Sequence, residues 1–195
     1  MQSFANILAK YGDDRAIRDA AIHYARVEYH PPSADSLEAA AGALAAPTVE
    51  ALRAYVTRFP EEVVTTGRGL YLHSTDARML AGAVQFLVRA FERSRATVCR
   101  LRADQRVTAA DRRHALAASL LIVERVDFGR GPMPEMLRER ADLLRPLVVT
   151  SMLDAGDVVD PHLRRIFLSR TRALNVAPIS LTPPHGAVPA EPEQQ

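Results

Sequence analysis

The sequence predicts an all-α fold, a single-domain bundle of seven or eight helices around a buried central helix. Large apolar residues recur at helical spacing, as Leu80, Val84, Leu87, Phe91 and Val98 do within one narrow sector. The core material is Leu, Val, Ile and Ala, with no Trp and 6% aromatics, and Ala and Leu lead the helix-propensity ranking. Proline, glycine and capping residues divide the chain into segments of ordinary helix length.

Ser3 to Tyr11 predicts a short first helix, stopped by Gly12. Asp13 and Asp14 cap a second, whose Ile17, Ala20, Ala21, Tyr24 and Val27 keep helical spacing until Pro31 and Pro32. An Ala-rich third runs from Asp35 to Ala46, with only Leu37 and Leu44 as large apolar residues. Pro47 breaks it, and Thr48 caps a fourth with the stripe Val49, Leu52, Val56 and Phe59 before Pro60. The stretch 61–73, EEVVTTGRGLYLH, reads as a frayed helical turn and loop in preference to a small hairpin around Gly-Arg-Gly. Two isolated short strands are marginal without a third.

Ser74 or Thr75 then caps a long amphipathic helix to Ala103, about 28 residues and roughly 42 Å. After a turn at 103–108, Thr108 and Asp111 have the spacing of a capping box, with Asp in place of the usual Glu or Gln. The helix they open contains ALAASLLIV, Ala115 to Val123, apolar on nearly every side. A helix with no polar face is buried, which makes this stretch the centre of the bundle. Gly129 to Pro134 is a turn, and Pro134 starts a helix to Leu153 that Pro146 splits near Leu144 or Arg145. Asp160 followed by Pro161 signals the last helix, with Leu163, Ile166, Phe167 and Leu174 inward and Asn175 at its end. Residues 1–175 are thus expected to form the helical domain. The segment 176–195, with five prolines between Pro178 and Pro192, is expected to be a flexible tail.

The net charge is only +2, but its distribution is uneven. Residues 76–126 carry ten arginines against five carboxylates, a net of +5, whereas residues 1–75 are net negative. Lys10 is the sole lysine, so basic surface here presents planar guanidinium groups. A single cysteine, Cys99, excludes an intramolecular disulfide and any multi-cysteine metal site. No signal peptide and no apolar run long enough to span a membrane is visible, which leads to the expectation of a cytoplasmic protein with no membrane partner.

Candidate chemistry is sparse. Asp154, Asp157 and Asp160 lack the ligand spacing of a calcium loop and read as turn and cap residues. His73, Ser74 and Asp76 have the residue types of a hydrolase triad, but triad members are brought together by a fold and are not crowded into four positions. The two Gly-Arg-Gly turns lack the length and the lysine of a phosphate loop. No cofactor or metal is expected. The expected function is a non-catalytic helical module for protein interaction or self-association. Its alternative is phosphate-backbone binding along an arginine stripe made of Arg78, Arg89, Arg93, Arg100, Arg106, Arg112 and Arg113. A helical enzyme, with a site assembled from distant segments around His23, His114 or His162, is the third reading.

Overall fold

Five runs of five residues form one parallel sheet: β1 Gly69–His73, β2 Val98–Arg102, β3 Leu120–Glu124, β4 Leu147–Ser151 and β5 Thr171–Asn175. Their spatial order is β2-β3-β4-β1-β5. The computed structural model describes residues 41–177, apart from 43, 93, 95 and 129–132. The expectation of an all-α bundle is overturned, and with it the central helix at Ala115 to Val123.

Helices alternate with the strands. α1 (Ala46–Arg58) leads through a π-helical turn at Phe59–Val63 and a helical turn at Val64–Thr66 into β1. α2 (Ala77–Glu92) joins β1 to β2, α3 (Ala109–Ala117) joins β2 to β3, α4 (Met133–Asp142) joins β3 to β4, and α5 (Pro161–Arg170) joins β4 to β5. Two cores result, one on each face of the sheet. α1 and α2 bury Leu52, Val56, Phe86, Leu87 and Phe91 against Leu70, Leu72, Leu120, Ile122 and Val148. α3, α4 and α5 bury Ala115, Met136, Leu137, Leu163 and Phe167 against Tyr71, Leu121, Val123 and Val149.

Each departure from the helical expectation has a local cause. β3 is covered on both faces, so Leu120, Leu121, Ile122 and Val123 are all fully buried. Such a strand reads as an unbroken apolar run, the same pattern that a helix without a polar face gives. The helix before it ends at Ala117, and Ala118 is already extended, with φ −61° and ψ 147°. The long helix expected up to Ala103 stops at Glu92. There the backbone N–H and the hydroxyl of Ser94 both turn back to the Phe91 carbonyl, at 3.0 and 2.8 Å. Pro146 does interrupt the segment from Pro134 to Leu153, but beyond it lies β4 and not a second helical half. Leu144, with φ 52°, makes the turn. The last helix ends at Arg170, where the Thr171 hydroxyl donates to Phe167 O at 2.5 Å and the chain continues as β5.

The stretch 61–73 departs furthest. β1 is neither loop nor hairpin but an inner strand, paired in parallel with β4 and β5. Gly69 permits this, because a Cβ there would lie 1.7 Å from the Leu147 carbonyl oxygen. Some expectations hold. Thr108 and Asp111 form the reciprocal capping box, Asp160 caps α5 through the N–H groups of His162 and Leu163, and Val49, Leu52, Val56 and Phe59 are all buried. Thr48 is not the cap of α1, which begins at Ala46 with Pro47 in its first turn. The first two expected helices, most of the third, and the tail from 178 lie outside the described residues.

One buried cation joins the layers. Arg140 on α4 is fully buried and donates to the carbonyls of Ala115, Ala118, Ser119 and Pro146, at 2.5 to 3.3 Å. Those carbonyls belong to the end of α3, its turn into β3, and the entry to β4. Burial lowers its pKa to about 9, which leaves it protonated at neutral pH.

Candidate functional site

In an open parallel sheet, ligands bind outside the carboxyl ends of the strands where the crossover direction reverses. Here that point is the cleft between β1 and β4. The β1-to-β2 crossover, α2, lies on one face, while α3, α4 and α5 lie on the other. The residues at the reversal are His73, Ser74 and Asp76 after β1, and Ser151 to Asp154 after β4.

These groups satisfy one another. Ser74 N donates to Ser151 O at 3.2 Å, tying the two strand ends together. Asp76 N donates to Ser74 Oγ at 3.2 Å, and Asp76 Oδ1 accepts from Arg78 N at 2.8 Å, so the first turn of α2 is capped by its own carboxylate. The Arg78 guanidinium lies 3.5 Å from the same oxygen. The Ser151 hydroxyl donates to Asp127, whose other oxygen accepts from Met152 N at 2.8 Å. Beneath them the Tyr71 hydroxyl donates to Leu153 O at 3.0 Å. Burial pushes the Tyr71 pKa up to about 12, and the carboxylates of Asp127, Asp154 and Asp157 push the same way. His73 Nε2 is 3.8 Å from Asp154 Oδ2. The cleft floor is therefore acidic and closed by internal hydrogen bonds.

Next to it, at the end of β3, Glu124 is held by Arg100, with Nη2 at 3.1 Å and Nε on the other oxygen. Arg125 follows with φ 59°, and its Nη1 lies 2.7 Å from Asp104, which also accepts from Arg102 Nη2 at 2.9 Å. The Arg102 hydrogen bond holds the Asp104 carboxyl below its ordinary pKa. Among the described residues, no group of three His, Cys, Asp or Glu side chains is arranged to hold a metal ion. Asp154 and Asp160 act as caps, of the turn Ala155–Asp157 and of α5.

The arginines expected as a stripe are spread over several elements. Arg78 opens α2 and Arg89 is exposed in its last turn, on one side of the sheet. Arg100 lies on the edge strand β2 and is paired with Glu124. Arg106 is exposed in the loop after β2. Arg112 and Arg113 are on α3, on the opposite side, where Arg112 reaches Glu139 at 2.7 Å and Glu135 at 3.6 Å. Arg93 lies outside the described residues, as does His23. His114 and His162 are exposed, in the last turn of α3 and the first turn of α5. Cys99 is half-buried on β2, and burial raises its thiol pKa.

A second concavity lies at the opposite end of the sheet. Tyr55 and Arg58 of α1, Glu62 and Val63 of the turn after it, Arg68, the start of β1 and Arg172 and Leu174 of β5 enclose about 510 Å3 of space open to solvent. Its walls are mostly apolar. Arg58 is 3.8 Å from Glu62, while among the described residues Arg68 and Arg172 form no ion pair. Nothing in the linear sequence joins Arg68 to Arg172; the β1–β5 register does, with Leu70 opposite Arg172.

No protein-family model matches the chain, and no curated protein sequence matches it. Solved structures do resemble it. Domain III of the Thermotoga maritima replication initiation protein DnaA has a TM-score of 0.54 at 12% identity, over 77% of this chain and 70% of that one. A putative primosome component from Streptococcus pyogenes serotype M3 has a TM-score of 0.51 at 13% identity, over 68% of this chain and 81% of that one. The DnaC helicase loader has a TM-score of 0.50 at 14% identity, over 80% of this chain and 99% of that one. The fold is thus α/β, a five-stranded parallel sheet with helices on both faces, resembling the P-loop-like fold of these structures. This overturns the reading as a non-catalytic helical interaction module. No helix among the described residues is long and apolar enough to cross a membrane.

A P-loop-like fold implies a nucleoside triphosphate at the β1–α2 turn, and the residues present do not fit one. A phosphate loop needs a glycine-rich turn whose free N–H groups cradle the phosphates, a lysine, and a hydroxyl for Mg2+. Here only Ser74, Thr75 and Asp76 separate β1 from α2, with no glycine and no lysine. The N–H groups of Asp76 and Arg78 are already bonded to side chains, and a carboxylate occupies the positive end of the helix where a phosphate would sit.

Proposed function

We propose that this chain works in a DNA-replication type of assembly, as initiators, helicase loaders and primosome components do, through contacts with its partners and without a triphosphate bound at the β1–α2 turn. The observation that carries the reading is the Asp76 cap on a fold shared with replication proteins. Such a fold positions its phosphate loop by the strand–turn–helix at β1, and here that unit is preserved in backbone layout while its chemistry is reversed in sign. The layers around the turn are packed on both faces of the sheet.

In-cell crosslinking followed by mass spectrometry of the tagged full chain tests the reading. Enrichment of replication proteins, most of all a helicase or an initiator, is expected. A crosslink spectrum with none of them, at normal expression, contradicts it.

A further inference from the structure

We infer that the outer edge of β5 and the cleft beside it form a docking site for an extended acidic segment of a partner protein, which adds to the sheet as a sixth strand. The inference rests on the partner-driven reading above and names the site and the chemistry of one partner.

Three observations converge there. Among the described residues β5 is the last strand of the sheet and pairs only with β1, so up to the Ala45 N–H on Ala177 O its other edge offers backbone donors and acceptors. Among the described residues, none of Arg172, Ala173, Leu174 and Asn175 has a hydrogen bond outside the β1 pairing. An added strand places alternate side chains on the α1 face of the sheet, where Arg172 and Leu174 already line the cleft with Tyr55 and Arg68. The charge is the third. The cleft is lined by Arg58, Arg68 and Arg172 against one carboxylate, Glu62, which lies 3.8 Å from Arg58.

This pattern selects among occupants. Another copy of the chain pairing edge to edge would bring Arg172 close to its own counterpart with no carboxylate on either strand to offset it. The arginines alone would suit a phosphate backbone, but the apolar walls and the strand edge give a nucleic acid little to contact. Backbone pairing for affinity and side-chain pockets for selectivity are the features of strand addition. A strand alternating carboxylate and aliphatic side chains matches all three features.

The probe is a fluorescein-labelled peptide of about eight residues alternating glutamate and valine, titrated with the full chain and followed by anisotropy. Binding that weakens as salt rises is expected, with a loss of about tenfold or more in Arg68→Glu and in Arg172→Glu. A peptide N-methylated at alternate backbone nitrogens should fail to bind, a result that a loose charge attraction would not give. The variants' thermal midpoints serve as the folding check, and Arg113→Glu on the far face is the charge control. Unchanged binding in Arg172→Glu, equal binding of the methylated peptide, or binding of an oligothymidylate in place of the peptide would overturn the site. None of these outcomes touches the crosslinking result, so the broader reading stands or falls separately.

Discussion

The carboxylate of Asp76 accepts the backbone N–H of Arg78 at 2.8 Å, two residues into the helix that follows the first strand. In a P-loop-like fold that N–H group points to where a phosphate binds, so the same contact that starts α2 also closes the turn. Replacing the cap should therefore cost stability without opening a binding site. Asp76→Ala is expected to destabilise by about 0.5–2 kcal/mol, measured by urea denaturation. Gain of ATP binding in that variant would show that the carboxylate alone closes the turn.

Arg140 should be the most sensitive charged position. Its substitution by methionine keeps much of the volume but removes the guanidinium donors from the carbonyls of Ala115 and Ala118 and leaves Pro146 O with the Leu121 N–H at 3.3 Å. A loss of about 3 kcal/mol or more is expected, with partial retention in Arg140→Lys. Equal stability of the methionine variant would mean that packing, not hydrogen bonding, sets the need for that side chain.

Gly69, the first residue of β1, is not interchangeable with an ordinary turn glycine. Gly69→Ala would drive a Cβ to 1.7 Å from the Leu147 oxygen and separate β1 from β4, a loss of more than about 4 kcal/mol. Gly42, with φ +55° and nothing within 4 Å, should lose only the backbone term, roughly 1–2 kcal/mol, as alanine. Comparing the two variants by thermal unfolding separates steric closure from φ preference.

Tyr71 gives the pH dependence. Its hydroxyl is an acid whose pKa is raised by burial from 10.0 to about 12, so the folded state holds the proton more tightly than the unfolded chain. The associated stability is fully present below pH 10 and is lost as pH rises from there towards 12. Denaturant midpoints should fall over that window, and Tyr71→Phe should remove the fall while costing about 1 kcal/mol at neutral pH from the lost Leu153 contact. An alkaline profile identical in Tyr71→Phe would assign the loss to other groups.

Local chemistry was legible in the sequence, and long-range pairing was not. The caps at Thr108 and Asp160, the stripe of α1 and the first sixteen residues of the long helix follow from signals confined to one turn or one face. The strands escaped because they are five residues long and because β1, β3 and β4 are buried along almost their whole length. Ala118 and Ser119 alone separate α3 from β3, so the apolar run passes from one periodicity to the other without a polar break. Apolar runs recurring between helical segments of 9 to 16 residues were the available cue to a parallel sheet. For the site, the turn and cap roles of Asp154 and Asp160 were readable, whereas the cap of α2 is Asp76 and not the expected Ser74 or Thr75. That Ser74 meets Ser151, and that Arg68 shares a cleft with Arg172, depends on strand register and has no linear signature.

An equilibrium titration of the full chain with a fluorescent ATP analogue and Mg2+, read alongside the thermal midpoint, tests the closed turn most directly. The expected result is no saturable signal and no shift in midpoint at any nucleotide concentration. Saturable binding, with a midpoint that rises as ligand at a hundredfold excess over Kd requires, by about 2.7 kcal/mol of stabilisation, would contradict it.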